Sequence, residues 1–128
     1  MVSDTYNFVG KKILIAEDEE TNYFYLETVL KRTGATLYRA KNGEEAVKVC
    51  EDQLDLDLVL MDIKMPDLNG LDATRMIRKF NATLPIIAQT AYALVGERNK
   101  CLNAGCNDYI SKPINRESLL KMITSFIG

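Results

Sequence analysis

The sequence predicts an α/β domain, a three-layer, doubly wound (βα)5 sandwich with a parallel five-stranded sheet and helices on both faces. Two observations carry this. Short apolar runs alternate with segments of helical periodicity, five of each, across residues 11–128, and parallel strands joined through helices require right-handed crossovers that cover the sheet. In addition, the runs over Lys12–Glu17 and Leu58–Met61 are continuous rather than alternating, the pattern of strands buried on both faces.

In order, residues 1–10 are polar and aperiodic and read as a leader or tether ahead of the domain at 11–128. Lys12–Glu17 is the first strand. Asn22–Lys31 carries Tyr23, Leu26, Val29 and Leu30 at helical spacing, and Gly34 marks its stop. Thr36–Ala40 is a short second strand. Gly43–Leu54 places Ala46, Val47, Cys50 and Leu54 on one helical face. Leu58–Met61, the most apolar strand, runs directly into Asp62. A loop with Pro66, Asp67, Asn69 and Gly70 leads into a third helix ending near Phe80. Pro85–Thr90 is the fourth strand and Leu94–Ala104 a less regular helix with Gly105 as its cap. Asp108–Ser111 is a brief fifth strand, and Leu119, Leu120, Ile123, Phe126 and Ile127 form the apolar stripe of the final helix.

Composition excludes several classes. Lys plus Arg number 16 against 18 Asp plus Glu, a net charge of −2, so no basic stripe suggests direct nucleic-acid binding. No apolar run nears the roughly 20 residues that span a bilayer, and Met1–Gly10 has neither the basic nor the apolar region of a signal peptide. The three cysteines, Cys50, Cys101 and Cys106, are an odd number without a CxxC pair; they read as isolated thiols in a reducing cytoplasm. The chain has no histidine, which removes His-ligated metal sites, Ser-His-Asp triads and a phosphohistidine of its own.

In doubly wound sheets, sites form at the carboxyl ends of the strands. Here those ends carry Glu17 and Asp18, Asp62, Thr90, and Lys112 just past the fifth strand. Each has an ordinary structural role when taken singly: an acidic pair at a helix start, a turn or cap residue, a surface lysine. Gathered at one edge they make a different set. Converging carboxylates repel unless a cation lies among them, and an all-oxygen donor set suits a hard ion such as Mg2+. Lys112 and Thr90 then offer a positive charge and a hydroxyl to phosphate oxygens, and Asp62 is placed as a carboxylate nucleophile.

These stretches resemble the receiver domain of bacterial response regulators, the CheY-like family. The resemblance runs from about Lys12 to Phe126 and rests on I-L-I-A-E-D (13–18), L-V-L-M-D-I-K-M-P-D-L-N-G (58–70), P-I-I-A-Q-T-A (85–91) and D-Y-I-S-K-P-I (108–114). It implies a flavodoxin-like sheet of order 2-1-3-4-5 and Asp62 as the phosphoacceptor. Glu17 and Asp18 would hold Mg2+ with Asp62 and the backbone carbonyl of Lys64. Thr90 and Lys112 would contact the phosphoryl group, Ala91 would leave room for it, and Lys112-Pro113 would be a cis peptide. Tyr109 matches a switch aromatic that moves as Thr90 closes, altering the surface of the fourth helix, fifth strand and fifth helix. Gly70 sits where the family turns into its third helix. Lys64 and Tyr92 occupy positions that tune dephosphorylation; a long cation and a bulky ring there imply slow self-hydrolysis.

The phosphoryl donor would be a histidine kinase or a histidine phosphotransfer domain, docking on the first helix around Asn22–Tyr25. N-K-C-L-N-A-G-C-N-D-Y-I-S-K-P-I (99–114) and Q-T-A-Y-A (89–93) look most like receivers fused to sensor kinases, which implies a piece of a hybrid sensor histidine kinase, with a stand-alone single-domain regulator as the alternative. The parent chain would then be a kinase, membrane-anchored in some members, while this domain touches no membrane, catalyses at most its own dephosphorylation and dimerises in a phosphorylation-dependent way in some contexts. A Mg2+-dependent aspartyl phosphatase would carry a second Asp two residues after the nucleophile, where this chain has Lys64. A flavin-binding protein would need a phosphate loop after strand one, where E-D-E-E (17–20) repels phosphate.

Overall fold

The computed structural model describes residues 6–91 and 95–128. Its elements alternate: β1 Lys12–Ala16, α1 Glu20–Lys31, β2 Thr36–Ala40, α2 Gly43–Asp52, β3 Leu58–Asp62, α3 Gly70–Arg78, β4 Ile86–Thr90, α4 Val95–Ala104, β5 Asp108–Ser111 and α5 Arg116–Ile127. All strand pairs are parallel, in the order β2-β1-β3-β4-β5. The chain leaves β1 toward β2 on one side and returns to β3 on the other. A crevice therefore opens between the carboxyl ends of β1 and β3.

Alternation along the strands splits the core. Leu14, Ala16, Val59, Met61, Ile86 and Ala88 face α2, α3 and α4, which answer with Ala46, Val47, Cys50, Ala73, Ile77 and Cys101. Ile13, Ile15, Leu58, Leu60, Ile87 and Ile110 face α1 and α5, against Leu26, Val29, Leu30, Leu119, Leu120 and Ile123. Each fully buried Leu or Ile contributes about 1.5–3 kcal/mol. β3 and β4 are buried along their whole length, so any polar group at their ends is held by a rigid, dry support.

Caps set the helix starts. Asn42, Asn69 and Asn115 accept from the backbone N–H three residues on in α2, α3 and α5. In α1 the cap is Glu19, which accepts from Asn22 N, and the helix begins at Glu20, two residues ahead of the predicted start at Asn22. Gly34 and Gly105 both follow helices with positive φ, +85° and +111°, as expected of stop residues.

Two expectations are corrected. Leu54 does not share the buried face of α2: the helix ends at Asp52 and Leu54 is 69% exposed. Periodicity alone misassigned it, because the Gln53 cap breaks the helical twist first. The leader is not a free tether over its described part, 6–10. Tyr6 and Phe8 are buried beside α1 and α5, Phe8 N donates to Thr33 O at 2.8 Å, and Tyr6 Oη donates to Glu117 Oε2 at 3.0 Å. Two aromatics in a polar stretch carry no period, so no pattern announced them. The three cysteines are buried and free; burial pushes the Cys50 thiol up to about 12 and Cys101 to about 11, so both stay protonated. Among the described residues no helix is long and apolar enough to cross a membrane.

Candidate functional site

Glu17 follows β1 directly, and its N–H still bonds to Ala40 O across the sheet at 2.9 Å. It is fully buried, whereas Asp18 next to it is exposed. Asp62 closes β3 at 4% exposure. Carboxylate oxygens of Glu17, Asp18 and Asp62 lie within 4.8 Å of one another, which joins the acidic pair that follows β1 to the acid that ends β3.

Lys112 bridges the two buried acids, with Nζ 3.3 Å from Glu17 Oε1 and 3.2 Å from Asp62 Oδ2. Its backbone N–H donates to Thr90 O at 2.7 Å, fixing the end of β5 against β4. The Lys112-Pro113 peptide is cis. Burial alone would push the Lys112 ammonium down, but attraction from Asp62 and Glu17 outweighs it and leaves the group above its usual range. Burial also pushes the Asp62 carboxyl up to about 7, helped by Glu17 and opposed by Lys112. Three carboxylates against one ammonium leave a local excess of negative charge with oxygen donors only. That set fits a small divalent cation.

Asp62 is held from behind as well. Lys64 N donates to Asp62 Oδ1 at 3.2 Å, and Gly70 N donates to Ile63 O at 2.9 Å. A Cβ on Gly70 would sit 2.0 Å from Asp62 O, so the start of α3 can approach the end of β3 only because this residue has no side chain. Glycine serves close approach here, not turn geometry.

A cavity of about 60 Å³ adjoins the acids, lined by Asp62, Lys64, Thr90, Ala91 and Lys112 together with Ile63, Gln89 and Glu97. Thr90 is buried and Ala91 exposed at its mouth. Tyr109 lies partly buried against the α2–α4 side of the core. Tyr92 falls outside the described residues. Beside the site a groove of about 300 Å³ is formed by Glu19, Thr21, Asn22 and Tyr25 of the α1 region and Pro113 and Ile114. Phe24 is 66% exposed on the same helix.

Five residues of this neighbourhood had no predicted role in the acidic site itself. Asn22 Nδ2 donates to Glu17 Oε1, and Glu19 N donates to Glu17 Oε2 at 3.1 Å. Arg39 donates to Glu17 O through Nη2 at 3.1 Å while stacking 4.0 Å above the Tyr23 ring. Glu97 and Gln89 line the cavity. Asn22 stands one helical turn past Asp18 and was legible from that spacing. Gln89, a polar residue inside an apolar strand, was also a visible anomaly. Arg39 and Glu97 carried no local signal, because only the fold brings them near.

Over residues 13–124 the chain matches the model of the response regulator receiver domain. It belongs to that family. It is 38% identical over 127 residues to hybrid signal transduction histidine kinase I of Dictyostelium discoideum, covering 93% of this chain and 7% of that protein. The chain thus spans a small part of the length of that relative. The receiver domain of the Pseudomonas aeruginosa sensor histidine kinase PA1611, solved with a magnesium ion coordinated in its active-site cleft, is 40% identical with a TM-score of 0.87, over 94% of this chain and 99% of that one. The receiver domain of the Saccharomyces cerevisiae response regulator Ssk1, solved with the histidine phosphotransfer protein Ypd1, gives 34% identity and a TM-score of 0.88, over 94% and 90%.

Proposed function

We propose that this domain accepts a phosphoryl group on Asp62 from a phosphohistidine on a kinase or phosphotransfer protein, as one station of a phosphorelay. The observation that carries this is the packing of Glu17, Asp18 and Asp62 within 4.8 Å, with Lys112 Nζ at 3.2–3.3 Å from two of them. In the transfer an Asp62 carboxylate oxygen attacks phosphorus, the P–N bond to the donor imidazole breaks with its electron pair going to nitrogen, and an acyl phosphate forms. Asp62 must be ionised to attack, and Lys112 favours that form. Glu17, Asp18, Asp62 and the Lys64 carbonyl would hold Mg2+, which supplies charge neutralisation for the developing phosphoryl oxygens.

Lys112 and the Thr90 hydroxyl then bind the phosphoryl oxygens, with Ala91 leaving space. The roughly two added negative charges draw Thr90 inward, and Tyr109 follows, changing the α4-β5-α5 face. This biases an existing equilibrium rather than creating a new state. The groove at α1 and Pro113–Ile114, with Phe24 exposed on the same helix, is the docking place for the donor, a reading supported by the Ssk1–Ypd1 pairing. We place the domain in a hybrid sensor kinase acting in the cytoplasm, supported by the hybrid-kinase relative and the three free thiols. With Lys64 two residues after Asp62 and Tyr92 two residues after Thr90 in the sequence, its aspartyl phosphate outlasts many minutes.

Acetyl phosphate with Mg2+ tests the assignment. A mass gain of one phosphoryl group, absent in Asp62→Asn and without Mg2+, is expected. An equal gain in Asp62→Asn would sink it.

A further inference from the structure

Gln89 is fully buried on β4, one residue before Thr90, in register with Asp62 on β3 and Ile110 on β5. Strand alternation puts its side chain on the α1–α5 side, where its strand neighbour Ile87 belongs to the apolar core. A primary amide there needs a reason, because a buried polar group without partners costs stability.

One partner is Asn22. Its Nδ2 is shared between Glu17 Oε1 and Gln89 Oε1, the latter at 3.4 Å. The orientations are forced: a carboxylate oxygen only accepts, so Asn22 must turn its amino group toward Glu17, and Gln89 must then present its oxygen to the same amino group. The Gln89 amino group consequently points away, and Nε2 has no hydrogen-bond partner among the described residues. The amide therefore weakens the resting fold relative to an apolar side chain of similar shape. What it gives in return is a second anchor for Asn22, and through Asn22 a fixed position for Glu17, whose Oε1 is also shared with Lys112. The long 3.4 Å contact fits a bond that tightens when the site is loaded.

We infer that Gln89 is a positioning residue for the acidic site, acting on Glu17 through Asn22. The inference rests on the proposed reading of Glu17 as a metal ligand. It places the β4 strand, which ends in Thr90, in the same hydrogen-bonded chain as α1 and the metal-binding acids.

The test is Mg2+ titration of the full chain, followed by amide NMR shifts, with melting curves in chelator. In Gln89→Leu, the metal-free melting temperature should be equal or higher, while Mg2+ binds about tenfold more weakly, the low end for an outer partner of a metal ligand. Asn22→Ala should weaken binding too, and the double variant should match Asn22→Ala alone, because both changes cut one chain. Gln89→Met carries the same measurement if the leucine variant does not fold. Affinity within about twofold of wild type, effects that simply multiply in the double variant, or loss of fold in both Gln89 variants overturns the inference. Wild-type protein that fails to bind Mg2+ overturns the reading of the site itself, so the two failures are distinguishable.

Discussion

Burial and the nearby Glu17 raise the Asp62 carboxyl to about 7, above the range of an unfolded chain. An acid raised on folding binds its proton more tightly in the folded state. Its contribution to stability is full below about pH 4 and is lost as pH rises through about 7. Metal-free protein should therefore melt lower at pH 8 than at pH 5 by this contribution. Asp62→Asn, which removes the charge, should be more stable than wild type at pH 8 in chelator by on the order of 1–3 kcal/mol; melting curves at the two pH values check it, and a destabilised Asn variant would contradict the buried-charge account. Gly70→Ala tests the support behind the same residue. The 2.0 Å approach to Asp62 O leaves no room, so a loss of roughly 3 kcal/mol or more and slower phosphorylation are expected, measured by denaturant titration and mass gain. At this scale Glu17, Asp18, Asp62, Thr90 and Lys112 were legible because each ends or follows an apolar run. The role of Gln89 was not legible, since its effect passes through Asn22 on another element.

Between elements, Arg78 is a polar tie of three hydrogen bonds. From the last turn of α3, its Nε donates to Gly105 O at 2.8 Å, Nη1 to Asn81 O at 3.0 Å and Nη2 to Asn107 Oδ1 at 2.8 Å; Asn107 Oδ1 also accepts from Ile86 N. One guanidinium thus joins α3, the end of α4 and the start of β4. Burial lowers its pKa from the ordinary arginine value without discharging it. Arg78→Ala should cost about 1–3 kcal/mol, and amide hydrogen exchange should quicken in α4 while α1 keeps its protection. Equal protection in α4 would show that packing through Cys101 and Ala104 suffices. The starts of α2, α3 and α5 are set by Asn42, Asn69 and Asn115, whose capping role the apolar periodicity did not announce. The extent of α2 was not, because an apolar residue at the right interval, Leu54, looks the same whether the helix continues or not.

For the whole molecule, the net charge of −2 conceals a concentrated cluster of acids at one edge of the sheet. Binding a divalent ion there stabilises the folded state alone, by about 2.7 kcal/mol at a hundredfold excess over Kd. Added Mg2+ should raise the melting temperature at pH 8 and chelator should return it, while Asp62→Asn responds much less; a wild-type melting temperature indifferent to Mg2+ would speak against the metal site. The βα alternation made a parallel, two-faced sheet legible from the sequence. Strand order was not contained in the periodicity and came only with the family likeness.

Tyr6 and Phe8 give this domain a boundary that burial, not periodicity, defines. A chain trimmed to start at Lys11 keeps every strand and helix, yet leaves an aromatic-sized slot beside α1 and α5 and returns the Thr33 carbonyl to water. Filling a core slot with a Phe side chain is worth roughly 3–5 kcal/mol, so the trimmed domain should unfold at clearly lower denaturant than one starting before Tyr6. Excision, fusion and truncation experiments on this protein should place their cut upstream of that aromatic pair.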